Sequence, residues 1–260
     1  MAYTALTTEQ RGSVLLVRIN RPHISNKLSI QCMRELSSLL ADKAADDAVC
    51  SVILAGLSDY FCSGGELGDF RVKDAMEVKQ FGAAFIALHT DMTIFPKPII
   101  AAVEGDALGG GFSLVEACDL AVSADSAAFA IPEMLDGLAP AMGLSGLYAN
   151  LTKKQIMSLG LLGTRLTADQ ALACGMLNHV VPKDKVIDKA FEIGRFFADK
   201  SPTAVRLFKE LYADMGFMDY EKRLRLGQSM MLALFKSKDG AEVLDCKEQN
   251  RAPAWSNSGR

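Results

Sequence analysis

An α/β fold is predicted by three features of the chain. Short apolar runs rich in β-branched residues recur along its first half, helix-patterned segments separate them, and from about Thr152 the patterns turn helical. The expected plan is a core of parallel-type buried strands with crossover helices, then a C-terminal helical region. Composition marks no sharper boundary than about 190–200. We place the α/β core at residues 1–195 and the helical layer at 196–260.

The elements follow in order. "VLLVRIN" at 14–20 reads as a strand broken by Arg21-Pro22. Ser29 is a candidate N-cap for a helix in which Met33, Leu36, Leu39 and Leu40 keep helical spacing. "VCSVILAG" at 49–56 is a continuous apolar run and therefore a buried strand. After a loop over "LSDYFCSGGEL", a helix is expected from about 72 to 93, stopped by Pro96 and Pro98. "IIAAVEG" at 99–105 is a third buried strand. A triglycine follows, then a helix in "FSLVEACD", a strand at 120–124 and an extended "AAFAIPEM". From about Thr152 the segments "TKKQIMSLGLLG", "TADQALACG", "DKVIDKAFEIGRFFADK" and "PTAVRLFKELYADMG" are helices opened by Thr, Asp or Pro or closed by Gly.

Composition narrows the function. The chain has 260 residues, 50% hydrophobic and 23% charged, with a net charge of −3. No basic excess would meet a phosphate backbone, which argues against nucleic acid as a partner. No apolar run reaches the ~18 residues of a membrane span, and no targeting signal is visible, so a cytoplasmic location is expected. The six cysteines (32, 50, 62, 118, 174 and 246) are widely spaced without a C-x-x-C pair, and the histidines do not cluster. No metal site is expected, and reduced core thiols are the plain reading.

Two glycine-rich turns carry the chemistry. "DALGGGFSLVEACDLAVS" at 106–123 sets three glycines between an apolar run and a helix. Each glycine costs roughly 0.5–1 kcal/mol against alanine within a regular element. Either two backbones cross closely there, or bare N–H groups at the helix start face negative charge or a carbonyl oxygen. The spacing fits neither a Walker A loop nor a dinucleotide fingerprint. "YFCSGGEL" at 60–67 is a second turn of this type after a buried strand. A strand–helix–strand unit would bring both turns to one side of the core.

"RPHISNKLS", "FCSGGELGDF", "PKPIIAAVEGDALGGGFSLVEACDLAVSADSAAFAIPE", "GLAPAMG" and "ALACGMLNHVV" together resemble the enoyl-CoA hydratase/isomerase (crotonase) superfamily. The similarity runs in order over roughly residues 10–250. It implies a crotonase-like spiral of ββα units and a C-terminal helical trimerisation region, hence a homotrimer or a dimer of trimers. It also implies an acyl-CoA thioester as substrate, no separate cofactor, and an enolate stabilised by two backbone N–H groups. By position those donors would be Ser63 and Gly110, with Gly64, Gly65, Glu66, His23 and Ser113 lining the substrate site.

The acid–base residues separate members of the family. The two-glutamate hydratases resemble "GGG-x-E" with a second Glu in "x-P-E"; here the first position is Ser113 and the second is Glu133. A lone glutamate in a dry acyl pocket suits proton shuttling, which is what the double-bond isomerases resemble. Ala141 stands where dienoyl isomerases and aryl-CoA dehalogenases resemble a pattern with Asp. Water addition by Glu133 alone and decarboxylation of a CoA- or carrier-bound acyl group are the alternatives, followed by a non-catalytic acyl-CoA binder. Glu116 and Asp136 are competing acids, read first as a partnered helix acid and a turn residue. Glu66 is read as shaping its loop. His89 and His179 are read as structural, and Cys62 has no base beside it to make it a nucleophile.

Overall fold

The computed structural model describes residues 3–66 and 74–255. Its first half repeats one motif three times: a strand for a large sheet, a strand for a small sheet, then a helix. β1 (Leu6–Arg11) and β2 (Val14–Ile19) form an antiparallel hairpin at one edge, and α1 (Ile30–Ala44) follows, capped by Ser29 as the sequence suggested. The three repeats are β3 (Ser51–Gly56), β4 (Tyr60–Cys62) and α2 (Ala75–Ile94); β5 (Ile99–Val103), β6 (Asp106–Leu108) and α3 (Gly110–Ala117); and β7 (Leu120–Ala124), β8 (Ala128–Ala130), a 3-10 turn over Pro132–Asp136 and α4 (Leu144–Asn150).

The large sheet has the order β1-β2-β3-β5-β7-β10, where β10 is His179–Val181, and every pairing but the first is parallel. Parallel sheets are covered on both faces, which is why β3 and β5 are buried at every position instead of alternating. The small sheet, β4-β6-β8-β9 with β9 at Leu166–Thr167, is parallel except at its last pair.

Helices complete the chain: α5 (Lys153–Leu162), α6 (Ala168–Ala173), α7 (Val186–Phe196), α8 (Pro202–Asp214), α9 (Tyr220–Phe235) and α10 (Lys238–Glu248). Thr152 and Thr167 close capping boxes with Gln155 and Gln170, the reciprocal hydrogen bonds that let these short helices start where they do. α7 packs on β2, β3, β5 and β7. Lys209 on α8 ties that helix to the core, since its Nζ donates to Asp119 at 2.6 Å and to the Lys97 carbonyl at 3.0 Å. Among the described residues no helix is long and apolar enough to cross a membrane. All six cysteines are free thiols.

Several elements went unforeseen. β1 is a polar, exposed edge strand with no apolar alternation to betray it. β4 and β6, each three residues long, lie within stretches read as loop and triglycine approach. The expected start of the long helix at 72 lies outside the described residues. The small sheet, unforeseen because its strands are too short to show a period, is what assembles the site.

Some glycines exist to let backbones touch. A β-carbon on Gly111 would collide with the Cys62 carbonyl, and one on Gly105 with the Asp59 carbonyl. Since the colliding atoms are backbone, no rotamer change relieves them. Gly111→Ala should therefore lose about 1–3 kcal/mol in urea unfolding. Gly216→Ala, where nothing lies within 4 Å, should stay within about 0.5 kcal/mol of wild type. Equal stability of the two variants would contradict this packing.

Candidate active site

Three strand ends meet at one point. β4 pairs with β6 (Tyr60↔Asp106, Cys62↔Ala107) and β6 with β8 (Ala107↔Phe129, Leu108↔Ala130), all parallel, so all three chains leave the small sheet on the same side. β4 delivers the turn Ser63-Gly64-Gly65, β6 delivers Gly109-Gly110, and β8 delivers Glu133. A β-carbon on Gly109 would lie 2.7 Å from Glu133 Oε1 and 3.7 Å from Gly64 Cα. One on Gly64 would lie 3.9 Å from the Gly110 nitrogen. A side chain at Gly109 would push the Glu133 carboxylate aside, and Gly109 (φ +50°) and Gly64 (φ +112°) occupy backbone regions that L-side chains avoid.

Gly109 donates its N–H to the Ala130 carbonyl at 2.8 Å and serves as N-cap of α3. Gly110 is the first helical residue. Its N–H lacks an intrahelical acceptor, as all first-turn N–H groups do, and sits at the positive end of the helix dipole. Phe85 and Leu28 flank it, 3.4 and 3.6 Å from where its β-carbon would stand, which makes the surroundings apolar.

The first turn requires a correction. The Ser63 N–H donates to the Ser25 carbonyl at 3.0 Å and is therefore occupied. The loop at 25–28 takes two further hydrogen bonds: Leu28 N–H to Gly64 O at 2.8 Å, and Glu66 N–H to Leu28 O at 2.7 Å. In this parallel bridge Gly65 is the residue whose own N–H points away from the loop. It donates to no acceptor among the described residues. A regular strand would aim the N–H groups of residues 63 and 65 the same way. The left-handed Gly64 between them reverses that parity, so the free donor of the first turn is Gly65, not Ser63.

Glu133 opens the 3-10 turn after Pro132. Its Oε2 is buried without a hydrogen-bond partner among the described residues. Burial pushes its pKa above the usual carboxylate range; the nearby Asp136 adds to the rise, while its own backbone N–H opposes it. Ser113 is buried on α3, and its Oγ donates weakly to Gly143 O at 3.3 Å and Gly109 O at 3.5 Å. A single point, where a β-carbon on Gly143 would stand, lies 3.6 Å from Ser113 Oγ and 4.0 Å from Glu133 Oε1. Ser113 and Glu133 thus border the same glycine, with a hydroxyl where the two-glutamate pattern has an acid.

The other candidates fall outside this point. Glu116 is raised by burial but accepts from Asn150 Nδ2 at 2.9 Å, so it is a partnered helix acid. Asp136 is exposed. Glu66 pairs with Arg21 at 2.7 Å and braces the first turn from outside. His23 is exposed on the 3-10 turn Pro22–Ile24, and His179 is exposed on β10. His89 stacks on Phe85 with ring centroids 4.0 Å apart, and its Nδ1 meets Phe85 O at 2.9 Å. Its Nε2 is buried without a partner among the described residues, and burial holds its pKa below the usual range. Burial pushes the Cys62 thiol up to about 12, which removes it as a nucleophile at neutral pH. Among the described residues no three His, Cys, Asp or Glu side chains gather as a metal site would need.

Sequence reasoning passed over Phe85 and Leu28 as the wall at Gly110, and Gly143 as the neighbour of both Ser113 and Glu133. Helical or strand spacing marks such residues as core, and only the fold shows what they pack against.

The family model described as enoyl-CoA hydratase/isomerase matches residues 9–258. The chain is 31% identical over 256 residues to a carnitinyl-CoA dehydratase of Proteus mirabilis (strain HI4320), covering 96% of this chain and 97% of that one. It is 31% identical over 207 residues to a short-chain-enoyl-CoA hydratase of Clostridium acetobutylicum, covering 78% of each. The crystal structure of an enoyl-CoA hydratase from Bacillus anthracis superposes with a TM-score of 0.90 at 27% identity, over 98% of this chain and 100% of that one. The crotonase-like fold implied by the motifs is borne out by that superposition. Matched along nearly its whole length in sequence and in fold, the chain belongs to the enoyl-CoA hydratase/isomerase family.

Proposed function

We propose that this acyl-CoA enzyme moves a proton at the carbon beside a thioester carbonyl, with Glu133 as its single acid–base group, and that its reaction is a double-bond shift. The observation that carries this reading is a buried carboxylate oxygen and two backbone N–H groups that find no partner among the described residues, with a hydroxyl at Ser113. In a 3-enoyl thioester, Glu133 takes a proton from C2. The electron pair moves onto the thioester oxygen, where the Gly65 and Gly110 N–H groups stabilise it. The protonated Glu133 returns the proton at C4, and the double bond comes to rest between C2 and C3. A base with a raised pKa fits this cycle, since it must be nearly as ready to give the proton as to take it.

Water addition to a 2-enoyl thioester is the second reading. What favours it is that the relatives named above are a dehydratase and a hydratase. It would require Glu133 alone to orient the water, helped by the Ser113 hydroxyl.

Assembly belongs to the same reading. Phe208, Tyr212, Leu224, Met231 and Phe235 on α8 and α9 are each more than half exposed. Several large apolar side chains exposed on two packed helices suit an interface, and the proposal is a homotrimer or a dimer of trimers. Light scattering at micromolar concentration should give a mass of three or six chains; a stable monomer would refute the assembly.

Two further tests bear on the chemistry. Gly110→Pro deletes one N–H at a helix position that tolerates proline, so kcat should fall about 10²–10³-fold with the fold intact. A folded variant with full turnover would remove Gly110 from the mechanism. Glu133→Gln should lower isomerisation of a 3-enoyl-CoA about 10²–10⁴-fold. In wild type, kcat/KM should fall with decreasing pH through a pKa above the ordinary ~4.3 of Glu. The sign for stability is opposite. With its pKa raised by folding, Glu133 binds more protons native than unfolded, so it costs stability as pH rises. Glu133→Gln should therefore melt at a higher temperature than wild type at pH 7. Unchanged turnover in Glu133→Gln, or an acid limb at the ordinary Glu value, would sink the single-base mechanism.

A further inference from the structure

Asn26 is fully buried, yet it is a polar residue in the loop before α1 and adopts a left-handed φ of +56°. Every polar atom of its side chain is used. Nδ2 donates to Leu57 O at 2.8 Å and to Tyr60 O at 2.7 Å, and Oδ1 accepts from the Arg21 N–H at 3.0 Å. Its own N–H returns to Arg21 O at 2.9 Å. One side chain therefore joins the 21–28 loop to both ends of the turn that opens β4.

That loop in turn holds the first glycine turn by three backbone hydrogen bonds, from Ser63, to Gly64 and from Glu66, which leave the Gly65 N–H pointing outward. The turn at 57–60 also packs against Gly105, whose missing β-carbon admits the Asp59 carbonyl just before β6 begins. Asn26 thus lies where the supports of both N–H donors meet. Few residues could do this: the position needs two N–H donors on one atom, an acceptor beside them, and tolerance of positive φ. Aspartate has the size without the donors, and glycine has the backbone without the side chain.

We infer that Asn26 is a positioning residue for the reaction, fixing the direction of the Gly65 N–H through the 25–28 loop before substrate binds. This rests on the reading that Gly65 and Gly110 receive a thioester oxygen. The test uses the full chain and butyryl-CoA labelled with carbon-13 at its carbonyl, a saturated thioester with no double bond to move. On binding to wild type, the infrared carbonyl stretch should shift to lower wavenumber as the donors polarise it. If the wild-type band does not shift, the thioester reading itself has failed. In folded Asn26→Asp and Asn26→Gly the shift should shrink, and kcat should fall about 10–100-fold, less than deletion of a donor. KM should change little. A purely structural role predicts something else: a lower melting temperature with the full carbonyl shift and full kcat per folded site. That outcome, or failure of both variants to fold, would overturn the inference.

Discussion

Parallel pairing of β4, β6 and β8 is the constraint on which the rest of this site depends. Each strand is only three residues long. Parallel register makes all three chains leave the sheet on one side, and the glycines let them leave almost in contact. The Cys62 carbonyl occupies the space of a side chain at Gly111, and Glu133 Oε1 lies against Gly109. Antiparallel neighbours would have sent one of the three turns to the far edge. The large sheet supplies what so small a sheet lacks. β3, β5 and β7 each feed one of its strands through a short connection, so the buried core fixes where the small strands start.

The assembled point is held in an uncomfortable state. A buried carboxylate oxygen without a hydrogen bond is penalised by roughly 1–3 kcal/mol or more, and the free N–H groups of Gly65 and Gly110 have no described acceptor either. A thioester oxygen that gains negative charge relieves the N–H groups, and a proton in transit relieves the carboxylate. In the proposed mechanism the unsatisfied groups are complementary to an enolate rather than to the resting protein, which is the condition for lowering a barrier. Glu116 makes the contrast. It is raised by burial too, but the Asn150 amide satisfies it, and nothing remains for it to do.

Glu133, Gly110 and the absence of a second glutamate at Ser113 were legible because each lies inside a short local pattern. The large-sheet strands and most helices were legible from runs, periodicity and caps such as Ser29 and Thr152. Which N–H of "SGGE" is free was not legible. That depends on a bridge to Leu28, more than thirty residues earlier, and on the parity reversal at Gly64. Asn26 stood within a quoted motif, yet its role is set by the carbonyls of Leu57 and Tyr60, which only the folded chain brings to it. β4 and β6 were invisible because three residues cannot display a period of two. The edge strand β1 hid behind its polar surface.

Formation of the enolate, before any double bond moves or water adds, is the central claim. Solvent exchange at C2 of a saturated acyl-CoA in D₂O isolates it, because such a substrate can do nothing else at this site. The account predicts deuterium entering C2 in the presence of wild type, with the rate lost in Glu133→Gln and in Gly110→Pro. No exchange by an enzyme that still converts an enoyl-CoA, or exchange that survives loss of Glu133, would contradict it.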